Sequence, residues 1–74
     1  FMNLRNGQIS VREILQNPQA RGLIQREVPQ LAGMLNSPMA VAWQGMTLNA
    51  VAAQAQRFMP AGRVQYLIQC LQNL

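Results

Sequence analysis

The feature that most limits what this chain can fold into is a series of helix-start signals repeated at short intervals: Ser10, Asn17-Pro18, Ser37-Pro38, Thr47 and Pro60. A side-chain oxygen ahead of a helix accepts from the free N–H groups of its first turn. A proline in the first helical position lacks only an N–H that would have gone unused. So many starts in 74 residues leave room for short helices only.

Ser10 followed by Val11-Arg12-Glu13 reads as a capping box, opening a helix over about 11–16 with Val11, Ile14 and Leu15 apolar. Asn17-Pro18 starts a second. Its stripe Ile24, Val28, Leu31 and Leu35 is spaced four, three and four, widened by Leu23 and Met34. Pro29 lies inside this pattern and predicts a kink or break near Val28, giving half-helices over 18–28 and 30–36.

Ser37-Pro38 starts a third helix ending at Gln44, with Gly45 as its stop. The run Met39-Ala40-Val41-Ala42-Trp43 is apolar on every side, which predicts the central, most buried element. Thr47 caps a fourth helix with Leu48, Val51, Ala52, Ala55 and Phe58 on one face, and Pro60 restarts the chain after Phe58-Met59. The last helix runs to about Asn73 with the stripe Val64, Leu67, Leu71 and Leu74. Nothing alternates with the period of a strand. The expected fold is all-α, a compact orthogonal bundle of four to five short helices. The expected division is a flexible N-terminal arm over residues 1–9 and a single helical domain over 10–74. Phe1 ahead of Met2 reads as a residue left by cloning, with Met2 the expected start.

A chain this short buries roughly 60% of the surface its unfolded form exposes, so its core needs support. One cysteine, Cys70, excludes an internal disulfide. With no His, no Asp and only Glu13 and Glu27 as acids, neither a zinc nor a calcium site can be assembled. No metal and no cofactor are expected, which leaves self-association or docking onto a partner. No apolar run approaches the about 20 residues of a membrane span, and Asn3, Arg5, Asn6 and Gln8 interrupt any signal peptide. The expected location is cytoplasmic or inside a virion.

Catalysis is equally hard to build. The hydroxyls are Ser10, Ser37, Thr47 and Tyr66, and the only bases are the two glutamates. Ser10, Ser37 and Thr47 serve as caps, Glu13 belongs to the capping box, and Glu27 is expected to pair with a nearby arginine. Cys70 reads as a small core residue, with an intermolecular disulfide as the alternative. A non-enzymatic module is expected.

Two surfaces remain. Met34, Met39, Trp43 and Met46 gather flexible thioethers around one indole, a composition suited to accepting an apolar helix. They are the expected partner-binding residues, for a second copy in a homo-oligomer or for a helical protein partner. The alternative is nucleic acid, bound in a helix-turn-helix-like arrangement by Arg57, Arg63 and the stripe Gln65, Gln69 and Gln72. Against it, the junction Phe58-Met59 is short for that motif's turn, which also lacks its glycine. Arginine together with Trp43 also suits a membrane-active peptide, but the repeated caps point to a folded domain.

Net charge is +4, with six Arg, no Lys, eleven Gln and six Asn. Such an amide-rich surface repels itself weakly and permits an acidic partner. The stretch from Leu15 to Met39, with Asn-Pro and Ser-Pro breaks between Leu- and Met-rich turns, resembles the client-binding helical domains of co-chaperones and ubiquitin shuttles. The likeness covers about a third of the chain and is compositional. It implies a groove for hydrophobic segments.

Overall fold

The computed structural model describes residues 2–30, 33, 37, 38 and 40–74. Among them the fold is all-α. In chain order the helices are α1 (Val11–Gln16), α2 (Pro18–Glu27), α3 (Ala40–Gln44), α4 (Leu48–Ala55) and α5 (Ala61–Gln72). The radius of gyration is 11.2 Å, close to the roughly 11 Å expected of a compact chain of this length.

The caps act where the sequence places them. Ser10 Oγ accepts from Glu13 N–H at 3.2 Å. Asn17 Oδ1 accepts from Gln19 N–H at 2.9 Å and from Ala20 N–H at 3.3 Å. Thr47 Oγ1 accepts from Ala50 N–H at 3.2 Å. Each satisfies donors that the first turn leaves free.

One half of the expected capping box is spent differently. The Glu13 carboxylate pairs with Arg5 instead of turning back to the Ser10 N–H. α2 ends at Glu27, where Val28 has φ −135° and ψ 71° and its N–H still donates to Ile24 O at 2.8 Å. Residues 31, 32 and 34–36 lie outside the described residues, and most of the half-helix expected after Pro29 lies with them.

The caps of α1 and α4 are joined. Ser10 and Thr47 form an isolated antiparallel bridge. Val11 N–H donates to Met46 O at 2.9 Å, and Leu48 N–H to Ile9 O at 2.8 Å. Two helix entrances 37 positions apart are thereby held side by side, which fixes where α4 starts relative to α1. α1 packs on α2 and on α3, and α2 packs on α5.

Residues 2–9 do not behave as an arm. Leu4 and Ile9 belong to the central apolar cluster with Ile14, Ala20, Leu23, Leu48 and Leu71, and Met2 packs against it. Between them the chain makes a tight left-handed turn, with φ of 51°, 57° and 85° at Arg5, Asn6 and Gly7. Such dihedrals cost an L-residue roughly 1–2 kcal/mol each. Arg5 N–H donates to Asn3 Oδ1 at 3.0 Å and Asn49 Nδ2 donates to Asn6 O at 2.9 Å, which holds the turn in place. The turn reverses the chain so that Leu4 and Ile9 enter the same core.

α3 is also not the buried centre. Ala40 is buried, but Val41 is 74% exposed and Trp43 is half-buried. Five residues make little more than one turn, so α3 has an inner and an outer side even though all but its last residue are apolar.

Candidate interaction site

The inner faces of the helices do not close completely on one another. They border a half-open apolar cavity of about 100 Å³, and the fifteen described residues that line it are all apolar. α1 and α2 supply Ile14, Leu23 and Ile24, and α3 supplies Trp43. α4 and the turn after it supply Val51, Ala55 and Met59, while α5 supplies Val64, Leu67 and Ile68.

The sequence explains this wall. Val51, Ala52 and Ala55 recur at helical spacing on α4, and two of the three are alanines too short to reach across to α5. Their shortness leaves the space. Ile14 and Val64 are buried at its inner side, whereas Trp43, Val51, Ala55, Met59, Leu67 and Ile68 are half-buried. Apolar walls offer a water molecule no hydrogen-bond partner, so the space favours apolar groups.

Of the residues expected to bind a partner, Trp43 lines the cavity. Met46 is half-buried and its side chain is not part of the wall. Its backbone N–H donates to Trp43 O at 3.0 Å and its carbonyl accepts from Val11, so it ties α3 to α1. Met34 and Met39 lie outside the described residues. Met59 lines the cavity although it was not singled out in the sequence, because it sits beyond the end of α4, in a turn.

Arg57 lies in the turn from Gln56 to Pro60 and Arg63 in the first turn of α5, and the two have different surroundings. The Arg63 guanidinium donates to Glu27 Oε2 at 2.9 Å and to Glu27 O at 3.3 Å, and lies 5.4 Å from the centre of the Tyr66 ring. The Arg57 side chain is exposed and has no hydrogen-bond or ion-pair partner among the described residues, while its backbone N–H donates to Gln54 O at 3.1 Å. α4 ends at Ala55, so five residues separate the two helices, more than the two-residue junction expected from sequence. Gln65, Gln69 and Gln72 are all exposed on α5.

Glu27 therefore has an arginine partner, as its surroundings in sequence suggested. It also lies 3.8 Å from Arg26, so it bridges two cations. The Tyr66 phenol is pushed up from its ordinary value, first by its hydrogen bond with the Cys70 thiol, then by the charges of Cys70 and Glu27, against a smaller opposing effect of Arg63.

Among the described residues no group of three or more His, Cys, Asp or Glu side chains could hold a metal ion. No helix among them is long and apolar enough to cross a membrane. Comparison of the chain with family models, with curated proteins and with solved structures finds no match.

Proposed function

We propose that this chain is a non-enzymatic contact module, whose half-open apolar cavity receives an apolar group from a helix of a partner protein or of a second copy. The observation that carries the reading is the cavity itself, lined among the described residues by fifteen apolar side chains from all five described helices and the turn after α4, with Trp43 half-buried. Among the described residues its walls carry no acid, base or nucleophile. What it offers is contact and the release of water from apolar surface.

Trp43 is the chain's one tryptophan, so its emission reports on occupancy directly. Light scattering across the micromolar range, read together with Trp43 emission, tests both forms of the proposal. Self-association should raise the mass with concentration and shift Trp43 emission to the blue. A protein that stays monomeric, and whose Trp43 emission ignores apolar helical peptides, would overturn the reading.

A second reading is nucleic-acid binding, favoured by the exposed row Gln65, Gln69 and Gln72 and by the free Arg57. The pairing of Arg63 with Glu27 removes one of its two cations. It predicts salt-dependent binding to DNA or RNA that is lost in the Arg57→Ala, Arg63→Ala double variant.

A further inference from the structure

Asn6 is the one asparagine of the chain that precedes a glycine. An asparagine carboxamide is open to attack by the backbone nitrogen of the next residue, and a glycine there puts no side chain in the way. The reaction needs water and no enzyme. Asn6 is exposed, in the left-handed turn that brings Leu4 and Ile9 into the core.

The fold opposes this attack twice. Closing the ring requires a ψ of about −120° at the asparagine, outside the populated backbone regions. Asn6 has ψ 32°, which turns the Gly7 nitrogen away from the Asn6 side chain. The Gly7 N–H, whose proton must leave, donates to Leu4 O at 2.9 Å. Both obstacles belong to the turn. Asn49 keeps the turn in place, with Nδ2 donating to Asn6 O at 2.9 Å and its side chain lying over Gly7.

We propose that Asn6 is a site of spontaneous deamidation, which the left-handed turn keeps unreactive and whose β-linked product releases the N-terminal segment from the core. When the turn opens, the Gly7 amide gives its proton to hydroxide and the nitrogen attacks Asn6 Cγ. The Cγ–Nδ2 bond breaks and ammonia leaves, closing a succinimide. Water then opens the ring at either carbonyl, leaving an aspartyl residue linked through its α- or its β-carboxyl group.

The α-linked product keeps the main chain and can re-form the turn. The β-linked product carries the main chain through Cβ, one atom longer, and its former backbone carbonyl becomes a free carboxylate. The acceptor that Asn49 holds is then no longer in the main chain. Leu4, 3% exposed, and Met2, packed on the same cluster, lose the turn that returns them to the core. Ile14, Leu23, Leu48 and Leu71 belong both to that cluster and to the cavity wall, so the release also loosens the cavity lining.

The test incubates the full chain at mildly alkaline pH, native and in urea. Peptide mass mapping locates the deamidation, and chromatography separates the α- and β-linked products. Native Asn6 should convert at least tenfold more slowly than in urea, as expected of a segment open no more than about a tenth of the time. Asn49→Ala should speed the native reaction roughly two- to tenfold, the effect of one lost hydrogen bond on opening, and leave the rate in urea unchanged. Asn6→Gln should lose the reaction under both conditions. After refolding, the β-linked protein should show Leu4 methyl resonances near their unfolded positions. Asn6→Asp, which has the sequence of the α-linked product, should keep the native ones.

No conversion in urea would overturn the site. Equal rates in the native protein and in urea would overturn protection by the turn, a comparison that needs no variant to fold. Native Leu4 resonances in the β-linked protein would overturn the release.

Discussion

The N-terminal region and the α4–α5 pair solve the same problem of closure differently. From Met2 to Val28 the chain is tied by specific polar contacts: two capped helix starts, a left-handed turn buttressed by Asn3 and Asn49, and the Arg5–Glu13 pair. Its apolar side chains Leu4, Ile9, Ile14 and Leu23 are all at most 6% exposed. In the α4–α5 pair only Leu48, Val64 and Leu71 are buried, at 8% exposed or less, while Val51, Ala55, Leu67 and Ile68 remain half-buried around a cavity. Hydrophobicity is therefore not what separates the two regions. The N-terminal segment has backbone devices that turn the chain back over its own core, and α4 faces α5 with alanines.

The comparison is broken most directly by truncating one residue from each region. Ile14, 2% exposed, supports the closed part, and Leu67 lines the open part. Ile14→Ala should cost about 3 kcal/mol, the transfer energy of the lost atoms plus a new void. Leu67→Ala should cost about 1 kcal/mol, because its surroundings are already incompletely packed. In a domain of this size each kcal/mol lowers the melting temperature by about 4–8 °C, so thermal melts separate the two. Equal losses would mean that the cavity walls are as well packed as the N-terminal core.

A smaller effect sharpens the role of the left-handed turn. Gly7 has φ 85°, and a Cβ built there would overlap the Asn49 side chain. Gly7→Ala should destabilise by about 1–2 kcal/mol. The same change in an Asn49→Ala background should cost less, since only the dihedral penalty remains. An unchanged melting temperature in Gly7→Ala would remove this turn from the account of closure.

What the sequence made legible follows the range of the interaction that decides it. The caps at Ser10, Asn17 and Thr47 act within three residues, so they could be read directly and helix starts followed. The fate of residues 2–9 depends on the contact of Asn49 with Asn6, forty-three positions away, and on a left-handed turn that leaves no periodic signature. An arm was the natural reading of a segment without period.

α3 went the other way. Its run of apolar residues suggested burial, but an element of five residues next to a core already filled by Leu4, Ile9 and Ile14 has no room to be covered on all sides. At the site, Trp43 was legible as an aromatic among methionines. Val51, Ala55 and Leu67 were legible only as a core stripe, because whether two stripes meet or leave a gap depends on helix separation, which residue spacing does not encode.

The smallest effect concerns the polar cluster on the outer side of α5, where the open region has its own specific contacts. The Tyr66 phenol is raised above 10.0, chiefly by the Cys70 thiol one helical turn away. A raised value means that the fold favours the neutral phenol. Its stabilising contribution is complete below the unfolded value and is lost as pH rises through the folded one. Tyr66 is the chain's one tyrosine, so an alkaline absorbance titration reads it without overlap. Its midpoint should lie above 10.0 in the native protein and fall toward that value in Cys70→Ala. Arg63→Gln should move it further up, because the guanidinium favours the phenolate. A midpoint unchanged by Cys70→Ala would show that the thiol does not hold the phenol.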